Sequence, residues 1–426
     1  MKDLTKGNDI NVIIQFAIPI FLANVLQLTY SFVDTRMVGE FLGDHALAAV
    51  GLTNGFAVIT ARFFGAHDEN GVRRAAAASY VLGVICALVL TVLSVTFLYP
   101  MLRILNTPDN LIEDAHRYIV IIFAGMIISV FYNVCMGILR AIGDTVTPLI
   151  FLALSAVLNI AGDYICLAVL DMNVEGAAYA TLVSQMAAGI ACIIYSVKRY
   201  ECICFTWQQC RVDSVLARSM MSSGFSMGFM NSIVSLGTVS LQGAINTLGD
   251  SYIVAHSAAR KITELFMMIF SVFGMTMATF CGQNIGAGRT DRVRRGIWHS
   301  ILISWVWCVM TATAAWLAGP WFIHLVTGSS SDEVLATGAL YLRVDTLFYF
   351  VPAVIAIIRN AMQGIGDHST PIISSTIELI GKVLIAIMLV PYLRYTAIII
   401  AEPIVWILMV IPLIVQILRN PALKPE

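Results

Sequence analysis

Long apolar runs, separated by short clusters of Gly, Pro, Asn and Asp, make up the whole chain. An apolar run of 18 or more residues is the length a helix needs to cross a bilayer. The breaks between runs predict twelve helices, at about 10–38, 45–62, 69–98, 109–140, 146–170, 174–199, 214–247, 251–284, 290–318, 332–363, 369–391 and 396–418. Pro148 and Pro371 fall in the first turn of their helices, where a missing N–H costs nothing. Gly143 and Gly366 stand where the preceding helices must end on a left-handed residue.

The pattern is written twice. Residues 137–150 read GILRAIGDTVTPLI and residues 360–373 read NAMQGIGDHSTPII, sharing I-G-D-x-x-T-P. Residues 61–74, ARFFGAHDENGVRR, and 282–295, GQNIGAGRTDRVRR, share G-A and V-R-R at one spacing. Six helices per copy is an even number, so both copies enter the membrane in the same sense and the pseudo-twofold axis runs along its normal. The expected fold is an all-α integral membrane protein of twelve transmembrane helices in two six-helix lobes: 1–200, a polar linker at 201–213 carrying Glu201, Gln208, Gln209, Arg211 and Asp213, and 214–426. Function is expected where the two halves face each other. With the N-terminus on one side, that side collects seventeen Lys and Arg and the other only Arg36, Arg103, Arg117, Arg343 and Arg394. The positive-inside rule makes both termini cytoplasmic, in a cell inner (plasma) membrane.

The repeat has one flaw. Leu42-Gly43-Asp44 matches Leu248-Gly249-Asp250 at an offset of 206, whereas the other matches sit at 221 and 223. The first half therefore lacks about 15 residues between Asn54 and Ala61, and its second helix spans only ~25 Å at ~1.5 Å per residue. A natural short variant and an internal deletion that damages transport both fit.

Composition narrows the classes. Of 426 residues, 59% are hydrophobic and 12% charged, too apolar for a soluble chain of this size. A net charge of −1 without a basic stretch argues against nucleic acid. Nine scattered Cys, none in C-x-x-C, give neither a zinc site nor a disulfide framework, so no metal or cofactor is expected. No phosphate loop or nucleophile–base pair points to an enzyme.

Charges inside spanning segments are expensive and are the first functional suspects. Asp34 lies in the first helix and Asp163 in the fifth, with Asn159 one turn before it on the same face and Thr181 in the sixth. A carboxyl group taken out of water gains by carrying a proton, which is what proton coupling requires. Asp34 beside Arg36, or Asp163 near a helix end, could equally serve as a cap or a pair. In the second half, Arg260, Lys261 and Glu264 share the eighth helix, Glu378 and Lys382 the eleventh, and Glu402 precedes Pro403 in the twelfth. Opposite charges one turn apart make a structural ion-pair network as reasonable as a substrate site. Asp345, two residues from Arg343, is placed near the outer surface. Pro19 interrupts the first helix and is either a static kink or a hinge.

At these motifs the chain resembles the multidrug and toxic compound extrusion (MATE) family of transporters over nearly its whole length. The matching stretches are PIFLANVLQLTYSFVDT from Pro19, ARFFGA from Ala61, GILRAIGDTVTP from Gly137, LNIAGD from Leu158 and GQNIGAG from Gly282. The resemblance implies a DinF-like branch member whose cation-coupling site is matched by Asp34, Asn159, Asp163 and Thr181, with Pro19 as the family's helix 1 proline. The acidic pair that sodium-coupled NorM-like members place in helices 7 and 10 finds no match, which tilts the coupling ion from sodium toward protons. The expected activity is antiport of amphiphilic or cationic organic compounds against protons by a lipid-embedded monomer. The alternatives are a lipid-linked sugar flippase, whose anionic substrate calls for several free Arg and Lys, and a transport-dead variant.

Overall fold

The structure, a computed structural model, describes residues 2–38, 47–104, 109–170, 172 and 174–420. Helices follow one another in the order α1 (Asp9–Val38), α2 (Leu47–Gly65), α3 (Glu69–Ile104), α4 (Asp109–Ala124), α5 (Met126–Ala141), α6 (Val146–Asp163), α7 (Val174–Arg199), α8 (Ser214–Ile245), α9 (Asp250–Gly286), α10 (Thr290–Thr327), α11 (Asp332–Leu347), α12 (Phe350–Ile365), α13 (Ser369–Met388), α14 (Val390–Leu393) and α15 (Tyr395–Arg419). No strand occurs among the described residues. Among the described residues, eight helices are long and apolar enough to cross a membrane, ten if α4 with α5 and α11 with α12 each count as one span. With α2 and the Ser- and Gly-studded α8, the predicted twelve segments are all helical. Large apolar side chains lie open on the outer faces, Leu317 at 82% and Leu418 at 71%, as a chain solvated by acyl tails requires. This is a multi-pass membrane protein.

Two expectations of unbroken helices fail, for reasons the sequence contains. The fourth span bends by 51° between α4 and α5, at Gly125, where a Cβ would collide with the side chain of Leu182. The tenth bends by 55° between α11 and α12. There Pro352 stands in the first turn of α12, and its ring denies an N–H to, and crowds, the carbonyl four residues back, that of Phe348. Helices also run past expected stops. α10 continues through Pro320, and the carbonyl of Trp316 that the proline leaves open accepts from Arg343 Nη2 at 3.3 Å. α6 widens into a π-helical stretch, Tyr164–Val169, directly after Asp163.

The I-G-D-x-x-T-P repeat is a helix stop and start in one motif. Gly143 (φ +83°) and Gly366 (φ +101°) end α5 and α12 in the left-handed region. Asp144 Oδ1 then accepts from the backbone N–H groups of Val146 (3.1 Å) and Thr147 (3.0 Å), capping α6. Asp367 Oδ1 does the same for Ser369 and Thr370, both at 3.1 Å, at α13. In the first copy Tyr200 donates its hydroxyl to Asp144 Oδ2 at 2.7 Å. Burial alone would push the Asp144 carboxyl up, but the Thr147 and Tyr200 hydrogen bonds outweigh it and hold the carboxyl below its usual range. Burial and the bond to Asp144 push Tyr200 up to about 12.

The chain forms two compact units, one of Met1–Leu4 with Ile18–Gly228 and one of Thr5–Ala17 with Phe229–Glu426. The polar stretch 201–213 thus lies inside the first unit, and α1 and α8 are each divided between the two. Within the first unit, Gly51 and Gly55 of α2 lie against Gly228 and Gly224 of α8. A Cβ on Gly55 would come within 2.5 Å of Gly224 Cα, and one on Gly51 within 2.7 Å of Gly228 Cα. This is close packing of small residues one turn apart on both helices, the arrangement that lets backbones touch in lipid. A core of Tyr118, Phe123, Met126, Tyr132 and Leu139 fills the space among α3, α4, α5 and α7. In the second unit the start of α10 grips the N-terminal segment: Arg292, just before the V-R-R copy, pairs with buried Asp9 at 2.7 Å and donates to the Gly7 carbonyl at 2.7 Å, and Arg295, the last residue of that copy, reaches Asp9 at 3.1 Å.

Gly55→Val should lower stability by about 1–3 kcal/mol, read as an earlier melt of the detergent-purified protein, while Gly243→Ala, with nothing within 4 Å of the added Cβ, should not. Asp144→Ala should cost about 0.5–2 kcal/mol as a lost cap. Because Asp144 is depressed, its contribution is present above the ordinary carboxylate range and lost as pH falls through the lowered value. Because Tyr200 is raised, its contribution is present below the ordinary tyrosine value and lost as pH climbs toward about 12. The melting difference between wild type and Tyr200→Phe should therefore be widest at neutral pH and shrink at both extremes.

Candidate functional site

Among the described residues, buried polar side chains gather within the helices of each unit. In the first, α6 presents Asn159 and Asp163 one turn apart, 1% and 0% exposed, toward Thr181 of α7. With the Asn159 amide turned so that its nitrogen faces the acid, Nδ2 donates to Asp163 Oδ2 at 3.0 Å, and its oxygen accepts from the Thr181 hydroxyl at 3.1 Å and backbone N–H at 3.2 Å. Three of the four residues expected to bind the coupling cation are thus brought together. Asp34 falls within α1, but its side chain lies outside the described residues. The π-helical turn begins at the residue after Asp163, a local widening of the kind that recurs at functional sites. Pro19 stands in α1 beside the place where that helix passes from one unit to the other.

The second unit holds a ladder of alternating charge drawn from four helices. Lys382 of α13 donates to Glu378 Oε1, one turn earlier, at 3.0 Å, and lies 3.0 Å from Glu402 Oε1 of α15. Glu402 also faces Arg260 of α9 at 3.5 Å, and Glu378 faces Arg359 of α12 at 3.7 Å. Lys382, Glu402 and Glu378 are almost wholly buried, Arg359 is 11% exposed and Arg260, at 24%, keeps the most open edge. Buried charges persist only when paired this way. The Glu378–Lys382 spacing foretold its pair. Arg260 makes its ion pair with Glu402 and also feels the charge of Glu264 one turn along, while Glu264 and Lys261 are exposed on α9. Arg359, which was not among the candidate site residues, supplies a further rung.

Asp345 is the principal correction. It is 0% exposed and accepts from the Thr263 hydroxyl at 3.3 Å. Two residues along a helix turn the side chain by ~200°, so Arg343 and Asp345 point opposite ways. Tyr341 and Tyr349 stand one turn before and after it, both buried, and among the described residues their hydroxyls and Asp345 Oδ1 make no hydrogen bond. His256 Nδ1 and the Tyr395 hydroxyl, 3.3 Å apart, complete a polar wall on α9 and α15. The missed signal was Y-x-x-x-D-x-x-x-Y, residues 341–349, a polar stripe at helical spacing. Among the described residues no group of three or more His, Cys, Asp or Glu could hold a metal ion.

A family profile described as MatE matches residues 19–60, 50–165 and 227–388. The chain belongs to the MATE family of transporters. The two N-terminal MATE matches overlap within α2, where the repeat arithmetic finds the first half short. The chain is 28% identical over 375 residues to the "Probable multidrug resistance protein YpnP" of Bacillus subtilis, covering 82% of this chain and 80% of that one. It is 25% identical over 412 residues to the "Probable multidrug resistance protein NorM" of Thermotoga maritima, covering 90% and 86%. In fold it is similar to a solved outward-facing multidrug resistance MATE family transporter of the MOP superfamily, with a TM-score of 0.90 at 22% identity over 100% of this chain and 98% of that one.

Glu402→Gln should be strongly destabilising, by about 3–5 kcal/mol, because it strands Lys382 and Arg260 without one of their shared anions. Thermal unfolding followed by size-exclusion fluorescence checks this. A variant as stable as wild type would mean that the ladder is not what holds α9, α13 and α15 in register.

Proposed function

We propose that the protein is a multidrug exporter of the plasma membrane, with both termini in the cytoplasm, that expels amphiphilic organic cations in exchange for protons. The observation that carries this reading is the buried Asn159–Asp163–Thr181 cluster. It joins a carboxylate at spanning depth to a donor and a hydroxyl on two helices. The names of the relatives, multidrug resistance and multidrug export proteins, support the substrate class.

A proton drives export only if it binds the two access states unequally. Protonation gives Asp163 an O–H to donate while the oxygen that accepts from Asn159 loses its charge, so the hydrogen bonding between α6 and α7 is weakened and altered. Asp34 joins the same role, and Pro19, which leaves one carbonyl of α1 without its helical partner, lets that helix bend when the charge is lost. The flippase alternative is weakened by the ladder. Arg260, Lys382 and Arg359 are each paired with a glutamate, and a diphosphate would have to displace those partners.

In proteoliposomes with an imposed pH gradient, wild type should export a fluorescent lipophilic cation, and Asp163→Asn or Asp34→Asn should drop that flux to the protein-free background while inserting normally. Full pH-driven efflux by both variants would overturn the assignment of the coupling residues. No efflux by wild type would favour the transport-dead alternative.

A further inference from the structure

We infer that Lys382 is a built-in monovalent cation: its ammonium fills, between Glu378 and Glu402, a place that a free metal cation would otherwise have to occupy. The geometry is that of a bridging ion, with one positive nitrogen 3.0 Å from a carboxylate oxygen on α13 and 3.0 Å from another on α15. A lysine ammonium is a compact point charge, closer to an alkali ion than the planar guanidinium fork is.

Two further features support the role. The fold makes room for this side chain: a Cβ on Gly237 of α8 would come within 3.0 Å of Lys382 Cδ, so the lysine stem runs over a bare backbone. Lys382 is also the one cation of the ladder that touches both glutamates, since Arg260 faces only Glu402 and Arg359 only Glu378. Deleting the ammonium leaves the two carboxylates without the charge that bridges them, and a buried place between two carboxylates favours a cation or a proton. Because the lysine is tethered, its site is filled at any external salt concentration. The second unit is thereby made indifferent to sodium, and the choice of coupling ion is left to the first.

This inference deepens the exporter reading, but its primary test is binding, which needs no transport. Wild type, Lys382→Met and the milder Lys382→Gln, purified from cells grown in sodium-containing medium, are melted in sodium, potassium or choline chloride at equal ionic strength and alkaline pH. Wild type should melt at one temperature in all three salts. Lys382→Met and Lys382→Gln should be stabilised by several degrees in sodium or potassium over choline, saturably, and adding Glu378→Gln should abolish the response. The inference is overturned if the lysine variants are indifferent to the metal cations, if acid alone stabilises them equally in every salt, if wild type itself responds, or if neither variant accumulates in the membrane although sodium was present to fill the site. In proteoliposomes the pH-driven flux of wild type should not change when sodium replaces choline. Loss of flux with the binding pattern intact would refute the exporter reading and leave the role of Lys382 standing.

Discussion

A charge in the interior of a lipid-embedded protein has nowhere to discharge its field, and this constraint organises the molecule. Moving an ion out of water costs several kcal/mol even after relaxation, so each one kept must be answered within hydrogen-bonding reach. The second unit answers with five alternating charges on four helices, which fixes the register of α9, α12, α13 and α15 against one another. The first unit instead holds Asp163, wholly buried, among the neutral partners Asn159 and Thr181. Buried carboxylates are thus held in two ways, by fixed counter-charges in the ladder and by neutral hydrogen-bond donors at Asp163 and Asp345.

The repeated motifs serve the frame more than the chemistry. I-G-D-x-x-T-P returns because each unit needs a left-handed stop followed at once by a capped start, and Gly143–Asp144 and Gly366–Asp367 supply both. The V-R-R stretch has diverged in use: in the second unit its last arginine, Arg295, holds Asp9 together with Arg292, which stands just before the motif where the first copy has Gly71, while in the first unit Arg73 faces Glu69, one turn earlier in α3, at 3.8 Å. The glycine faces of α2 and α8 serve packing, bringing the backbones of the two helices together at Gly51 and Gly228 and at Gly55 and Gly224.

Much of this was legible in the chain. Apolar run length gave the spans, and the Asn159–Asp163 spacing with Thr181 gave the first cluster, because one helical turn places residues on a shared face. What stayed hidden depended on which faces of distant helices meet. Nothing near Glu402 announces Lys382 and Arg260 as partners, and nothing near Gly51 announces Gly228. Asp345 was misplaced because its neighbour Arg343 suggested a surface, when an interval of two reverses the direction of a helical side chain. The bends escaped because 109–140 and 332–363 each read as one unbroken apolar run, and run length does not register Gly125 against Leu182 or Pro352 against the carbonyl of Phe348.

Those two bends occur at equivalent points of the repeat, with angles of 51° and 55°, yet a bare residue makes room for one and a ring forces the other. Shape has been kept while its cause was exchanged. Positions that matter for curvature in this architecture will therefore show no shared residue when the halves are laid side by side, and comparing letters alone would discard the very sites where the trace of the backbone is most strictly held.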